Sequence, residues 1–365
     1  MKKMRDEDVG MRGAGIVKRE KASRARLDRR ASASSAPRVS SSSLISRPSF
    51  LLRWRGLAPE GNAPDVVFRA VLFLSALLIV ALAAAMLWSL AANAGAAARA
   101  FGLPFLWGRE WNPSRGRFGA LPFVYGTLMS SLIALVISVP LSLGVAVFLV
   151  EQSPRRLSRP LTFLVELLAA IPSVVYGLWG IFVLAPALRD YVETPLQRRA
   201  GWLPVFQGPI TGTGLLAGGV VLAIMITPII SAVARDVLAA VPQAQREAAL
   251  ALGATPWETT RVVLANGAPG IAGAIILGLG RAVGETMAVT MLIGNRAEIS
   301  ASLFAPSYTI ASVLANELRE ANDDLHLSSL VLLALILFLL TLLINAAARL
   351  LVWGVTRGTG GAARA

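Results

Sequence analysis

Residues 241–260 read VPQAQREAALALGATPWETT, and this stretch determines how the rest of the chain is interpreted. Pro242 suits the first turn of a helix, and good helix formers follow it up to Gly253, which readily adopts the left-handed conformation that ends a helix. Thr255 and Glu258 have the spacing of a capping box, in which each side chain bonds to the other residue's backbone amide. The pattern predicts two short helices joined by a hinge at Gly253.

This polar stretch lies between two long apolar runs, and the chain contains six such runs. Each is long enough to cross the hydrocarbon core of a bilayer as a helix, which takes roughly 20 residues. The composition, 55% hydrophobic and 15% charged, also exceeds the apolar content that a soluble core of this length needs. We therefore predict an all-α membrane protein with six transmembrane helices, at residues 70–92, 126–150, 161–188, 214–234, 271–294 and 328–352.

The N-terminal region differs in composition, because residues 1–60 are basic, rich in serine and without a sustained apolar pattern. Residues 1–69 hold 16 Lys and Arg against 7 Asp and Glu, which accounts for most of the net charge of +14. Basic segments stay on the cytoplasmic side during insertion, so both termini are predicted to be cytoplasmic. We expect a disordered basic tail that can contact membrane lipid, and no nucleic-acid partner.

Several classes of site are excluded by residue counts. The chain has no cysteine and a single histidine, His326, which excludes disulfides and clustered metal ligands, so no metal or cofactor is expected. Every lysine lies at or before Lys21 and none follows a glycine, whereas a P-loop needs a lysine directly after its last glycine. The chain therefore cannot carry a P-loop, and any ATP hydrolysis that it depends on is predicted to be carried by a partner subunit.

The fifth apolar run contains two charged residues, Arg281 and Glu285, within the sequence GRAVGET of residues 280–286. Charges are costly in lipid, and the i, i+4 spacing places both on one helical face, where they can neutralise each other. A guanidinium group also suits phosphate oxygens, and Glu285 would then compete with the anion and keep its binding weak. A purely structural ion pair, or a contact with a partner subunit, remains open. Glu166 in the third run is a further intramembrane carboxylate.

A short exposed helix between two spans has a shape that docks into a groove of another protein. Residues 247–249, Glu-Ala-Ala, followed by Gly253, resemble the EAA motif of ABC importer permeases. The resemblance implies a type I ABC importer permease fold, in which the loop contacts the ATP-binding subunit. The residues implied at that contact are Glu247, Ala248, Ala249 and Gly253, and we predict that Trp257 contributes to it. An amphipathic loop helix at the membrane surface is the alternative interpretation.

A second resemblance involves RAVGETM at residues 281–287 and ELLAAIPSVVYG at residues 166–177. Together they resemble the PstC-type family of phosphate importer permeases, over residues 126–357, whereas the sister PstA type usually has Ala-Pro after its Gly-Glu-Thr. The resemblance implies a phosphate path with Arg281 and Glu285, and we predict that Thr286 and Glu166 belong to the same path. It also implies a multi-pass protein of the bacterial cytoplasmic (inner) membrane. The implied partners are a PstA-type permease, PstB-type ATP-binding subunits and a PstS-type binding protein.

The predicted organisation has three parts: the tail of residues 1–60, a first transmembrane helix with its periplasmic loop at residues 66–122, and a permease domain at residues 123–357. The coupling loop occupies residues 235–269. A permease for another oxyanion, such as sulfate or molybdate, would share the loop but lack the string in the fifth run. An ion-coupled secondary transporter with carboxylates as proton sites would leave the loop unexplained. A membrane enzyme is disfavoured, because no nucleophile–base constellation accompanies the charges.

Overall fold

The computed structural model describes residues 63–362, and this part of the chain is helical, with two isolated β-bridges and no β-strand. The predicted tail of residues 1–60 lies outside the described residues. The chain divides within its first helix into two units, Met1–Leu74 and Ser75–Ala365, and the packing described below belongs to the second. The α-helices are α1 Ala63–Asn93, α2 Gly95–Phe101, α3 Leu121–Val147, α4 Arg155–Ala169, α5 Ser173–Trp179, α6 Ala185–Leu188, α7 Thr194–Ala200, α8 Leu215–Ala239, α9 Gln243–Ala251, α10 Pro256–Val283, α11 Met287–Leu292, α12 Ile310–Glu317 and α13 Asp324–Ala362.

Shorter helical segments connect several of these elements. Three π-helical turns, which follow α3 and flank α6, are Phe148–Gln152, Gly180–Leu184 and Arg189–Glu193. Three 3₁₀ turns are Leu103–Leu106, Pro113–Arg115 and Pro204–Phe206. The segments from α5 to α7 therefore form an almost continuous helical path.

Among the described residues, five stretches are long and apolar enough to cross a membrane as single helices. These stretches are Asp65–Asn93, Leu121–Gln152, Leu215–Ala239, Pro256–Val283 and Asp324–Leu350. A sixth span is obtained when Arg156–Ala169 and Ser173–Ala200, which meet at an angle of 90°, are counted together. The prediction of an all-α membrane protein with six spans is confirmed, and the third span is broken.

The break in the third span lies at Pro172, between α4 and α5. Proline lacks an amide hydrogen and disfavours helical backbone in the residue before it, and Pro172 itself has extended backbone, with ψ 140°. The predicted straight helix of residues 161–188 is therefore two helices at a right angle. Polar and apolar residues segregate to opposite faces of α4, the pattern of a helix at a membrane surface.

The fifth span also differs from its predicted bounds of 271–294. The second predicted loop helix is the first part of α10, a helix of 28 residues that continues to Val283. The capping box is present as predicted, because the Thr255 side chain accepts from the Glu258 amide while the Glu258 side chain accepts from the Thr255 amide. After Val283 the helix breaks, and α11 begins at Met287. One helix therefore joins the polar loop to the charged string.

Helix α8 forms the centre of the bundle and packs against α3, α4, α10 and α11. Its residues Leu222, Ile226 and Ile230 are fully buried. Small residues allow the neighbouring helices to approach: a β-carbon at Gly278 of α10 would lie 2.6 Å from the Ile230 side chain. Because α10 is packed this closely on α8, the central helix fixes the position of the charged end of α10.

Gly126 of α3 provides a test of this packing. A β-carbon at Gly126 would collide with the carbonyl oxygen of Tyr308, whereas a β-carbon at Gly144 of the same helix meets nothing within 4 Å. We expect Gly126→Ala to lower the free energy of unfolding by about 1–3 kcal/mol, as overpacking does. Gly144→Ala should be neutral or raise it by about 0.5–1 kcal/mol, because alanine is the better helix former. Thermal unfolding of both variants in detergent micelles measures this, and equal melting temperatures would contradict it.

Candidate functional site

The charged pair predicted from the fifth run forms at the end of α10. Arg281 lies in the last turn of α10, and Glu285 follows the break at Gly284. The Arg281 Nη2 and Glu285 Oε2 atoms are 3.3 Å apart. The Arg281 side chain is 47% exposed, whereas that of Glu285 is only 3% exposed. The two residues meet as their spacing predicts, although Glu285 lies outside the helix.

Glu285 is held by a second contact, at the start of α11. Its Oε1 accepts a hydrogen bond from the Ala288 backbone amide at 3.4 Å. A carboxylate is favoured at this position, because the N-terminal amides of a helix lack partners within the helix and carry partial positive charge. The carboxylate is therefore bound from two sides, while most of the five N–H groups of Arg281 stay free of it.

Thr286 lies beside this pair and stabilises the break rather than the charges. Its hydroxyl is 3.5 Å from the Gly284 carbonyl oxygen, and its own carbonyl accepts from the Thr290 hydroxyl at 2.6 Å. Broken helices are tolerated at membrane depth where protein or a water-filled cavity surrounds them. Thr286 thus supplies hydrogen bonds where the regular helical pattern is interrupted.

Arg281 faces an open groove of about 890 Å³ between α8, α10 and α13. Most of the lining is apolar, including Ile229, Leu277 and Leu342. A guanidinium on an apolar wall is desolvated on one side and available on the other, which strengthens its interaction with an anion. The groove is therefore the accessible side of the charged pair.

Glu166, the other predicted path carboxylate, has a different partner. Its Oε1 is 3.0 Å from Nη1 of Arg235, near the end of α8, and Arg235 Nη2 also contacts Asp236 at 2.7 Å. The Glu166 side chain is 52% exposed. The structure thus brings Arg281 and Glu285 together and places Glu166 in a separate ion pair that connects α4 to α8.

The predicted coupling loop contains α9, which connects α8 to α10. Glu247 and Ala248 are exposed and Ala249 is half-buried. Gly253 has φ +83°, the left-handed conformation predicted for the hinge, and a β-carbon added there would meet nothing within 4 Å. Trp257 is exposed at the start of α10. The loop therefore presents acidic and apolar side chains on one accessible surface.

Arg246 fixes the base of this loop and was missed by the sequence analysis. Its guanidinium contacts Glu151 Oε1 at 2.9 Å and donates to the carbonyl oxygens of Leu238 and Val241 at 2.8 and 2.6 Å. The carbonyls at a helix C-terminus lack partners within the helix, so this cation satisfies the end of α8. Its partner Glu151 lies 95 residues earlier in the chain, so residue spacing could not predict the ion pair. The only local sign was an arginine directly before Glu247.

The arrangement combines an accessible loop with an intramembrane charge, and the comparison with known proteins agrees with it. Residues 138–357 match the family described as binding-protein-dependent transport system inner membrane component. The chain belongs to this family. It is therefore a multi-pass membrane component of a transport system, as predicted, and not an enzyme. The matched residues of this inner membrane component include the loop and the whole groove.

Curated relatives of this inner membrane component cover most of its length. The phosphate transport system permease protein PstC of Mesorhizobium japonicum is 46% identical over 81% of this chain and 92% of its own. PstC of Pasteurella multocida is 44% identical over 81% and 94%, and PstC 2 of Mycobacterium tuberculosis is 45% identical over 66% and 76%. A solved inward-facing MetNI methionine ABC transporter aligns with 65% of this chain and 94% of its own, at a TM-score of 0.44 and 23% identity.

Arg246→Met should destabilise the protein, because it leaves Glu151 without a cation where both side chains are only 12% exposed. Breaking a buried pair by removing one partner leaves an uncompensated charge, and we expect a loss of roughly 3 kcal/mol in the free energy of unfolding. Thermal unfolding in detergent measures it.

The control for this substitution is Arg261→Met, since Arg261 is exposed on α10. A change within about 0.5 kcal/mol is expected there. Combining Arg246→Met with Glu151→Gln should recover part of the loss, and strictly additive effects would contradict the pairing.

Proposed function

We propose that this chain is the PstC-type permease subunit of an ATP-driven phosphate importer of a bacterial cytoplasmic membrane, with both termini in the cytoplasm. A PstA-type permease would complete the path, PstB-type subunits would hydrolyse ATP, and a PstS-type protein would deliver phosphate. The observation that carries the proposal is Arg281, a half-exposed guanidinium held by buried Glu285 on a mostly apolar groove wall. The identity to PstC proteins supports phosphate as the anion.

Arg281 would bind phosphate through the N–H groups that Glu285 leaves free. Guanidinium groups donate two parallel hydrogen bonds to an oxyanion and keep their charge at every relevant pH. Glu285, fixed on the buried side by Ala288, would hold the guanidinium in place and reduce its net attraction for the anion. Transport requires binding that is strong enough for entry and weak enough for release. A paired arginine meets both requirements.

The path prediction also included Thr286 and Glu166. Thr286 would act by maintaining the break that brings Glu285 to Arg281. Glu166 is paired with Arg235, and its place in the path stays a prediction.

The coupling loop would transmit ATP-driven movement to Arg281 through α10. Glu247, Ala248, Ala249, Gly253 and Trp257 would form the contact with the ATP-binding subunit. From the capping box to the charged end, α10 has 28 residues, a rod of about 42 Å. A displacement of the loop would therefore reach Arg281 along one continuous helix, and alternating access would follow from the movement of such helices in the two permeases.

The substrate assignment is tested in proteoliposomes that contain this chain, a PstA-type permease, the ATPase and a phosphate-loaded binding protein. We expect ATP-dependent uptake of phosphate and not of sulfate. Arg281→Ala should lower uptake at least about tenfold, because a charge-assisted hydrogen bond contributes about 1.5–3 kcal/mol. Arg319→Ala, which removes an exposed arginine between α12 and α13, is the control. Undiminished uptake by Arg281→Ala would refute the role of Arg281, and uptake of sulfate alone would refute the substrate.

The coupling role is tested separately by charge reversal at Glu247. Glu247→Arg should abolish both the co-purification of the ATP-binding subunit in detergent and ATP hydrolysis stimulated by the loaded binding protein, because the loop surface would then repel its partner. Glu320→Arg, at an exposed glutamate outside the loop, should retain the ATP-binding subunit. Retention of that subunit by Glu247→Arg at wild-type stoichiometry would contradict the docking surface.

A further inference from the structure

The groove that Arg281 faces contains a second guanidinium that the proposed path does not use. Arg349 of α13 lines the same groove as Arg281 of α10, together with the side-chain amide of Asn345. The remaining lining residues are apolar or small. Three groups that donate hydrogen bonds thus share an open groove whose other lining residues are apolar or small.

Asn345 and Arg349 lie on the face of α13 that is next to α10. A β-carbon on Gly280 would lie 4.0 Å from Asn345 Oδ1, so the amide is adjacent to the turn of α10 that carries Arg281. Arg349 is four residues further along α13, which places it on the same face and about 6 Å along the helix axis. It belongs to the last turn of the apolar stretch Asp324–Leu350. The polar groups therefore form a row that leads from Arg281 toward the C-terminal end of α13.

The row has an excess of positive charge. None of the described residues that line the groove is acidic, and Arg349 has no ion pair with any described residue. Arg281 makes one ion pair, with Glu285, which lies buried behind it. An unpaired arginine in an apolar span is costly unless it meets water, a ligand or a partner group. The groove therefore favours an anion, and its two guanidinium groups favour an oxyanion.

We propose that Asn345 and Arg349 form a second oxyanion contact, which receives phosphate after Arg281 on the way to the cytoplasm. This inference rests on the proposed function and on its orientation, in which the C-terminal end of α13 is cytoplasmic. The groove of about 890 Å³ is much larger than one phosphate, so the anion moves through it hydrated. Two weak sites, one after the other along the path, permit release, because the anion leaves the Arg281 site as the Arg349 site attracts it.

A basic residue at this position also has a simpler explanation. Arginines at the cytoplasmic end of a span fix its orientation in the membrane, wherever they lie around the helix. The oxyanion contact requires the arginine to lie on the face of α13 that lines the groove, whereas the orienting role requires only that it lie at the end of the span. Adjacent residues of a helix point about 100° apart, since 3.6 residues make one turn. Moving the arginine by one residue keeps the charge at the end of the span and removes it from the groove.

The test compares wild type, Arg349→Ala, Arg349→Lys and the double variant Arg349→Ala/Leu350→Arg in the proteoliposomes described above. Leu350 is 65% exposed and does not line the groove, so it accepts the moved charge. The measurements are the amount of each variant in the membrane, the maximal rate of phosphate uptake, and the phosphate imported per ATP hydrolysed. Arg319→Ala is again the control.

We expect Arg349→Ala to lower uptake about tenfold, the factor that corresponds to one lost charge-assisted hydrogen bond. ATP hydrolysis stimulated by the loaded binding protein should continue, because the coupling loop is unchanged, so the phosphate imported per ATP falls. Arg349→Lys should recover at least about half of the uptake, since lysine keeps the charge but not the planar fork. The double variant should stay as impaired as Arg349→Ala.

Two results would overturn the inference: wild-type uptake by Arg349→Ala, or full recovery in the double variant, which would assign Arg349 to orientation in the membrane. Asn345→Ala should lower uptake less than Arg349→Ala does, because it removes a neutral donor. Failure of the proposed function can be distinguished from failure of this inference. In that case the wild-type assembly would import no phosphate at all, and the second contact would fail with it.

Discussion

A charge inside an apolar span has to be compensated, and the structure around Arg281 is organised by this requirement. In a straight helix, Arg281 and Glu285 would lie on the same face. Both side chains would then be exposed together or buried together. The break after Val283 instead turns Glu285 into the protein, where α11 supplies an amide, while Arg281 stays half-exposed on the groove. The cost of burying the carboxylate is offset by one cation and one helix N-terminus. The arginine is thereby held in place and still accessible.

The same helix connects this site to the coupling loop, which the proposed function places against the ATP-binding subunit. Helix α10 begins with a capping box at Thr255, and Arg246 fastens the preceding loop to the end of α8. Each end of the helix is thus fixed by polar contacts, while small residues along it, such as Gly278, pack on α8. In the proposed mechanism, a displacement of the loop passes along one continuous helix that is held against a close-packed neighbour.

The sequence predicted those features that depend on near neighbours. Apolar run length predicted the spans, residue spacing predicted the capping box at Thr255 and the pair of Arg281 with Glu285, and backbone preference predicted the left-handed Gly253. Contacts between distant parts of the chain were not predictable in this way. The ion pair of Arg246 with Glu151 depends on how α3 and α8 end next to each other. Pro172 was visible in the sequence, but a proline in an apolar run is compatible with either a kink or a right-angle break.

Burial separates two carboxylates that the sequence could not distinguish. Glu166 and Glu285 both interrupt apolar runs, and both were assigned to one path. Glu166 is half-exposed, and its ion pair with Arg235 is therefore less costly to form than a fully buried one. Glu285 is almost fully buried at membrane depth, where an unpaired carboxylate would cost several kcal/mol. In the proposed path the buried Glu285 carboxylate holds Arg281, whereas Glu166 joins α4 to α8 and its place in the path stays a prediction.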